Sequence, residues 1–341
     1  MKKISTAWNI LLASEKKILI LLIFMKIIGM CLEVFGIALI IPLISVLLKQ
    51  DTEFFNIDIL SLFDFLGYEN QTSPITLIVI FIIFAYFIKN LFLSFLAWVD
   101  SKFAFGVAAR LSKDFFKGYL NLPYYFYLKG NTSKLIYNTT VSVDLYKFTL
   151  NYAAVLVSEV LVLIGLSIFL IIIEPYGFIC AALLIGLISA MYYKTHKKKL
   201  IDWGEKVQFH QKSRIKNLMQ GFGAIKEIAI SGLQDFFIDT YDVHNIAHHK
   251  LSRQNYLVNQ LPKFILEVFG VIGILSLLLI LKFKMDNIEN IIIILGIFAA
   301  ASFRLMPSAN RILFALQGFR FSIATVDNLS NEFDLLNKYA E

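Results

Sequence analysis

Two arginines stand where an apolar helix would ordinarily tolerate no charge. The stretch Phe303-Arg304-Leu305-Met306-Pro307-Ser308-Ala309-Asn310-Arg311-Ile312 follows an almost unbroken apolar run, 288–301, and continues into Leu313-Phe314-Ala315-Leu316. A charge inside a membrane helix is costly, so it faces a partner or a water-filled cavity. Seven residues apart, Arg304 and Arg311 share one helix face, separated by about two turns or roughly 10 Å. Guanidinium groups so placed suit oxygen anions, phosphate above all. Pro307 lies between them and removes a backbone hydrogen bond, which makes it a candidate hinge or a static kink.

Lys89 and Lys263 are the other candidates for the same cavity. Lys89 lies about 14 residues into its apolar segment, roughly 21 Å deep, and Arg304 about 16 residues in, roughly 24 Å. The plainer alternative is that these long side chains snorkel to the headgroups, which is easier for Lys263 and Arg311 near the rim. Lys26 is a further basic residue on the first segment, close enough to Lys17 to snorkel. Glu33, Glu159 and Glu267 can neutralise the set from within, and Glu267 stands four residues from Lys263. The expected ligand of Lys89, Lys263, Arg304 and Arg311 is an anionic headgroup, with pyrophosphate the best candidate.

Other chemistries find little support. No paired carboxylates, Ser/His/Asp set or metal spacing falls on a shared face, so no catalytic residue and no metal site is expected. His244 and His248 are four apart but lack a third ligand pattern. Cys31 and Cys180 sit alone in apolar segments and read as packing residues. No G-x-x-x-x-G-K-[ST] occurs, so these residues hold no phosphate-cradling loop of an ATPase.

The elements that position these residues are membrane helices. Apolar residues make up 58% and charged residues only 17% of 341, against about 45–50% and 25% in soluble domains. Six segments can span a bilayer, which takes roughly 20 helical residues: about 18–48, 75–99, 148–173, 176–193, 264–281 and 288–316. Lys and Arg concentrate in the stretch before the first span and in the second and fourth connections. The other three connections carry only Lys49, Lys282 and Lys284. The net charge of +7 therefore reflects the inner membrane face rather than nucleic acid. Both termini and the two long connections are expected to be cytoplasmic. Glu174-Pro175-Tyr176-Gly177 must be a tight helical hairpin.

The long connections continue the helices. Phe103, Val107, Leu111 and Phe115 recur at helical spacing among charges, and 203–237 behaves similarly. Each excursion then needs a short crossing element where the chain turns back. The candidates are Leu122-Pro123-Tyr124-Tyr125-Phe126-Tyr127-Leu128-Lys129-Gly130 and Gln220-Gly221-Phe222-Gly223-Ala224-Ile225-Lys226-Glu227-Ile228. In the first, Gly130 and Asn131 break a helix before Thr132-Ser133 caps the next.

Six spans with two long helical excursions resemble the membrane domain of ATP-binding-cassette (ABC) exporters of the type IV fold. The residues 122–126 through Ser133-Lys134-Leu135 to Asp144 resemble that family's first coupling-helix region. Gly223-Ala224-Ile225-Lys226-Glu227-Ile228 through Gly232 and Phe236-Phe237 resemble the second. Arg304-Leu305-Met306-Pro307-Ser308-Ala309-Asn310-Arg311-Ile312 closely resembles the last span of bacterial flippases for lipid-linked oligosaccharides. Leu261-Pro262-Lys263 and Lys89 fall where those proteins also carry basic residues, with Lys here in place of Arg.

The resemblance implies an all-α membrane protein, with six long transmembrane helices extending into the cytoplasm and two coupling-helix regions. Phe126, Gly130, Ser133, Gly223, Lys226 and Glu227 are its coupling candidates. The transmembrane domain is expected over 1–320 and a cytoplasmic tail over 321–341, where an ATPase domain would normally follow. ATP and Mg are expected on a separate or missing ATPase, with no cofactor in this chain. The implied partners are a second copy of the domain, an ABC ATPase, the bilayer and an anionic lipid-linked substrate; the implied setting is the bacterial cytoplasmic membrane. Two alternatives stay open: a lipid, peptide or drug exporter subunit, and a non-transporting membrane scaffold that lacks its ATPase.

Overall fold

The computed structural model describes residues 8–41, 43, 74–129, 132–284 and 288–340, and these are helical nearly throughout. The long helices are α1 (Ala13–Ala38), α2 (Pro74–Leu120), α5 (Val143–Ile173), α6 (Pro175–Gly223), α8 (Gln234–Lys284) and α9 (Ile288–Ala340). Short helices α3 (Tyr124–Lys129), α4 (Thr132–Tyr137) and α7 (Ile225–Ser231) make the crossings, and a π-helical turn, Asn138–Ser142, joins α4 to α5. Among the described residues five helices are long and apolar enough to cross a membrane. The expected span 176–193 forms the first part of α6. Gly130, Asn131 and the first outer connection lie outside the described residues.

Among the described residues two large apolar clusters hold the bundle, beside a small one of Leu266, Ala309 and Leu313. One joins Ile37 of α1, Leu166 and Leu170 of α5, Leu281 of α8, and Ile297 and Ala301 of α9. The other lies beyond the spans and contains Val107, Leu111 and Phe115, three of the four residues spaced for a helical face. Phe103, the fourth, packs against this cluster from its edge. Apolar periodicity in a charged sequence thus marks a true helical extension.

The corners follow from local chemistry. Glu174 is extended (φ −149°, ψ 92°) and Pro175 opens α6, where its fixed φ and missing N–H cost nothing. The hairpin is therefore a single-residue corner. Gly232 closes α7 at φ 64°, and Leu233 N–H donates to the Ile228 carbonyl at 3.2 Å, the Schellman arrangement that glycine makes cheap. α9 passes through Pro307 and continues past residue 320 to Ala340 without a break. Its last turns are anchored, since Val326, Leu329 and Leu336 enter the second cluster.

Polar contacts lock the extension. Buried Glu332 of α9 accepts a hydrogen bond from Tyr119 Oη at 3.1 Å and pairs with Lys134 of α4. Asn138 Nδ2 donates to the same tyrosine at 3.1 Å. The first crossing, the end of α2 and the end of α9 are thereby one unit.

Where α6 pairs with α8 beyond their spanning stretches, His210 Nδ1 lies 3.0 Å from His244 Nδ1, and His248 Nδ1 lies 3.2 Å from Arg214 Nη1. Burial, then Arg214 and the neighbouring His249 and His210, push His248 down to about 4. Burial and His244 also lower His210. A histidine held below its ordinary value binds fewer protons folded than unfolded. Its contribution is complete above about pH 6.5 and is lost as pH falls toward 4. The melting midpoint should therefore fall between pH 7 and 5, by roughly 2–4 °C given solvent screening at this half-buried site. His248→Gln should flatten that slope in a pH series of thermal melts.

Candidate functional site: a mixed-charge cluster between α1, α2, α5 and α9

Close helix approach brings the charges together. A Cβ at Gly165 of α5 would stand 2.9 Å from Met30 and Val34 of α1, so glycine there lets α1 and α5 run side by side. Glu33 of α1 and Glu159 of α5 are then both buried, at 6% and 5% exposure. Gly36 does the same for α2. The stem and ammonium of Lys89 pass 3.4–3.5 Å from where its Cβ would lie, and Tyr86 Oη donates to the Gly36 carbonyl at 3.1 Å.

Three of the four expected basic residues converge on these two carboxylates. Lys89 Nζ lies 3.5 Å from Glu33 Oε2 and 4.1 Å from the Tyr86 ring centre, a cation–π distance. Arg304 bridges the glutamates, with Nη2 3.0 Å from Glu33 and Nη1 3.7 Å from Glu159. Arg311 Nε lies 3.0 Å from Glu159 Oε1. Ser308, one turn from each arginine, donates to Glu159 Oε2 at 2.6 Å. Arg304 and Arg311 thus face the same partner, as their spacing requires.

Lys263 stands apart. It is exposed on α8, and no ion pair joins it to Glu267 or to any other described residue. Lys26 is buried but belongs to a second site, pairing with Asp100 at 2.5 Å and donating to Ser158 Oγ at 2.8 Å. A separate cavity of about 340 Å³ between α5, α6, α8 and α9 is lined by residues such as Leu163, Phe178, Gly270, Leu305 and Met306, and by none of the four basic residues. Among the described residues no group of three or more His, Cys, Asp or Glu is placed to hold a metal.

The crossings differ in exposure. Phe126 packs on the second apolar cluster and Ser133 is buried. Gly223, Lys226 and Glu227 are exposed, beside Phe222, Ile225, Ile230 and Phe236, each at least 60% exposed. That surface is largely apolar, outside the spanning stretches and uncovered by the other described residues.

A family model for the ABC transporter transmembrane region matches residues 19–300. The chain belongs to this family. As an ABC transporter transmembrane region it is a multi-pass membrane protein. Family membership implies that it works with an ATPase and pairs with a second transmembrane domain. Arg304, Pro307, Ser308 and Arg311 lie just beyond the matched residues, on the helix that begins inside them.

Ser308, Asp100, Tyr86 and Glu332 carry contacts that sequence alone did not single out. Asp100 and Glu332 had a usable signal, each being an acid flanked by apolar residues at helical spacing. Ser308 had none, since a serine hydroxyl in a membrane helix ordinarily bonds to its own backbone, and nothing in the sequence aims Tyr86 at the Gly36 carbonyl.

Proposed function

We propose that this chain is the membrane-spanning part of an ATP-driven ABC exporter or flippase that moves an anionic amphiphile by alternating access. The cargo class is a lipid-linked oligosaccharide or polysaccharide precursor. The single observation that carries this reading is the Arg304–Arg311 face inside the bundle of an ABC transmembrane region. Three cations there meet two carboxylates, a surplus that suits phosphate oxygens in a low-dielectric site.

The remaining parts fit the same machine. A homodimer in the bacterial cytoplasmic membrane is what the family resemblance implies, and cytoplasmic termini are supported by the distribution of Lys and Arg. ATPase docking is supported by the exposed apolar crossing around Gly223, Lys226 and Glu227, and by the first crossing, where Phe126 and Ser133 (with Gly130 between them) join the α2–α9 unit. The ATPase, with its ATP and Mg, supplies closure, and the crossings pass that motion to the spans. Pro307 is the candidate hinge, because it sits between the two arginines where a bend would change their access. Lys263, exposed on α8, is a rim contact for an arriving headgroup.

The test is co-purification of the full chain with an ABC ATPase, followed by ATP hydrolysis in nanodiscs. A pyrophosphate-linked glycolipid should stimulate hydrolysis several-fold, whereas a zwitterionic phospholipid should not. Equal rates with both lipids would contradict the cargo class. A second reading, a lipid, peptide or drug exporter, is favoured by the apolar cavity of about 340 Å³ beside the charged cluster. Stimulation by an uncharged hydrophobic compound alone would select it.

A further inference from the structure

The arginines proposed to bind cargo are already engaged in this conformation. Glu159 lies between them, 3.0 Å from Arg311 and 3.7 Å from Arg304, and Glu33 takes the other side of Arg304 at 3.0 Å. Yet the cluster does not balance. Lys89, Arg304 and Arg311 face Glu33 and Glu159, a formal surplus of one positive charge. The Nε of Arg304 is buried without an acceptor, and 47% of the Arg311 side chain is exposed. An unused buried donor beside a surplus charge calls for one more anionic oxygen.

We propose that Glu159 is a built-in competitor for the cargo's phosphate. Its carboxylate occupies the arginine pair between transport strokes, yields part of it to a phosphate oxygen when cargo enters, and takes it back when cargo leaves. Ser308 holds the competitor in place. Its 2.6 Å hydrogen bond fixes one carboxylate oxygen beside the arginine pair, so the glutamate is pre-organised to compete and to return. Glu159 is thus a specificity-determining residue. It sets how strongly an anion must bind to displace it, and it rejects weak anions such as chloride. Arg311 is the exchanging partner because it is half exposed, whereas Arg304 stays anchored by Glu33. The inference rests on the reading that these arginines bind an anionic headgroup, and the experiment separates the two.

The full-length protein, in nanodiscs of zwitterionic lipid, is titrated separately with short-chain phosphatidic acid and with inorganic pyrophosphate. Four proteins are compared: wild type, Glu159→Gln, Ser308→Ala and Arg311→Gln. Glu159→Gln should tighten binding by about five-fold or more and slow dissociation, as expected when a partly screened ion pair no longer competes. Ser308→Ala leaves every charge in place and should shift affinity the same way by less. A merely structural role for Glu159 would weaken binding or leave it unchanged.

Tightening with phosphatidic acid, alone or with pyrophosphate, assigns the exchange to a lipid-borne phosphate. Tightening with pyrophosphate alone assigns it to a soluble one. If Arg311→Gln loses binding while Glu159→Gln and Ser308→Ala bind as wild type, the competitor role is overturned and the headgroup site stands. If Arg311→Gln binds as wild type, or wild type binds neither probe, both readings fall. Should Glu159→Gln not fold, Ser308→Ala decides.

Discussion

Arg304→Gln is expected to lower stability by about 3–5 kcal/mol, the cost of removing one partner from a buried ion pair. The size follows from where the residue sits. Among the described residues its guanidinium alone pairs with both Glu33 and Glu159, each less than a tenth exposed. Without it, among the described residues, Glu33 keeps only Lys89 at 3.5 Å, and Glu159 keeps Arg311 and Ser308. A carboxylate short of a cation in low dielectric is the expensive state, more so than a neutral pair of similar shape. Glu33→Gln added to Arg304→Gln should therefore recover part of the loss. Melting curves of the two single variants and the double variant give the coupling directly. Additive losses would mean that the two side chains are neighbours without being partners.

Gly204→Ala should be nearly as damaging, for a steric reason. A Cβ there would press into the Phe321 carbonyl oxygen of α9 and lie 3.2–3.3 Å from the Phe321 carbonyl carbon and Cα. The obstacle is backbone, so no rotamer change relieves it, and α6 must move off α9. Overpacking of this kind costs about 1–3 kcal/mol, and more where backbone must shift. Gly270→Ala is the control. The atoms it would meet are the far end of Met306, a flexible side chain that can swing aside. A smaller loss in melting midpoint for Gly270→Ala than for Gly204→Ala is the expected order, and the reverse would place the α6–α9 crossing elsewhere.

Much of the architecture was legible because it depends on periodic burial. Val107, Leu111 and Phe115 carry a helical face through a charged connection, and all three are buried. Glu174-Pro175 announced a sharp corner through proline's missing N–H, and the corner is one residue long. The stretch after 320 is expected from the family resemblance to be a tail beyond the transmembrane domain, and Asp327, Asn328, Asn331, Glu332 and Asp334 alternate there with apolar residues. Its apolar residues, Val326, Leu329, Phe333 and Leu336, keep helical spacing, and they hold α9 against α2.

The charged cluster was legible in part. Arg304 and Arg311 had to share a face, and they do so by meeting Glu159. That Glu33 and Glu159 could neutralise the set was legible, but which cation each meets was not. Glu33 and Arg304 are far apart in sequence, and close approaches such as those at Gly165 and Gly36 bring α1, α5 and α2 together. Lys263 shows the opposite limit. It resembled its counterparts by position along the chain, but helix rotation, which no local pattern fixes, leaves it exposed on α8.

The most direct measurement is ATP-dependent translocation of a pyrophosphate-linked glycolipid by the full chain with its ATPase in proteoliposomes, for wild type and Arg311→Gln. Arg311 is suited to this test because it is half exposed and its loss burdens the fold less than that of Arg304. Arg311→Gln should translocate roughly ten-fold more slowly at equal assembly, as expected for losing one charge-assisted contact to phosphate. Undiminished translocation by Arg311→Gln would contradict the role of the arginine face in binding cargo.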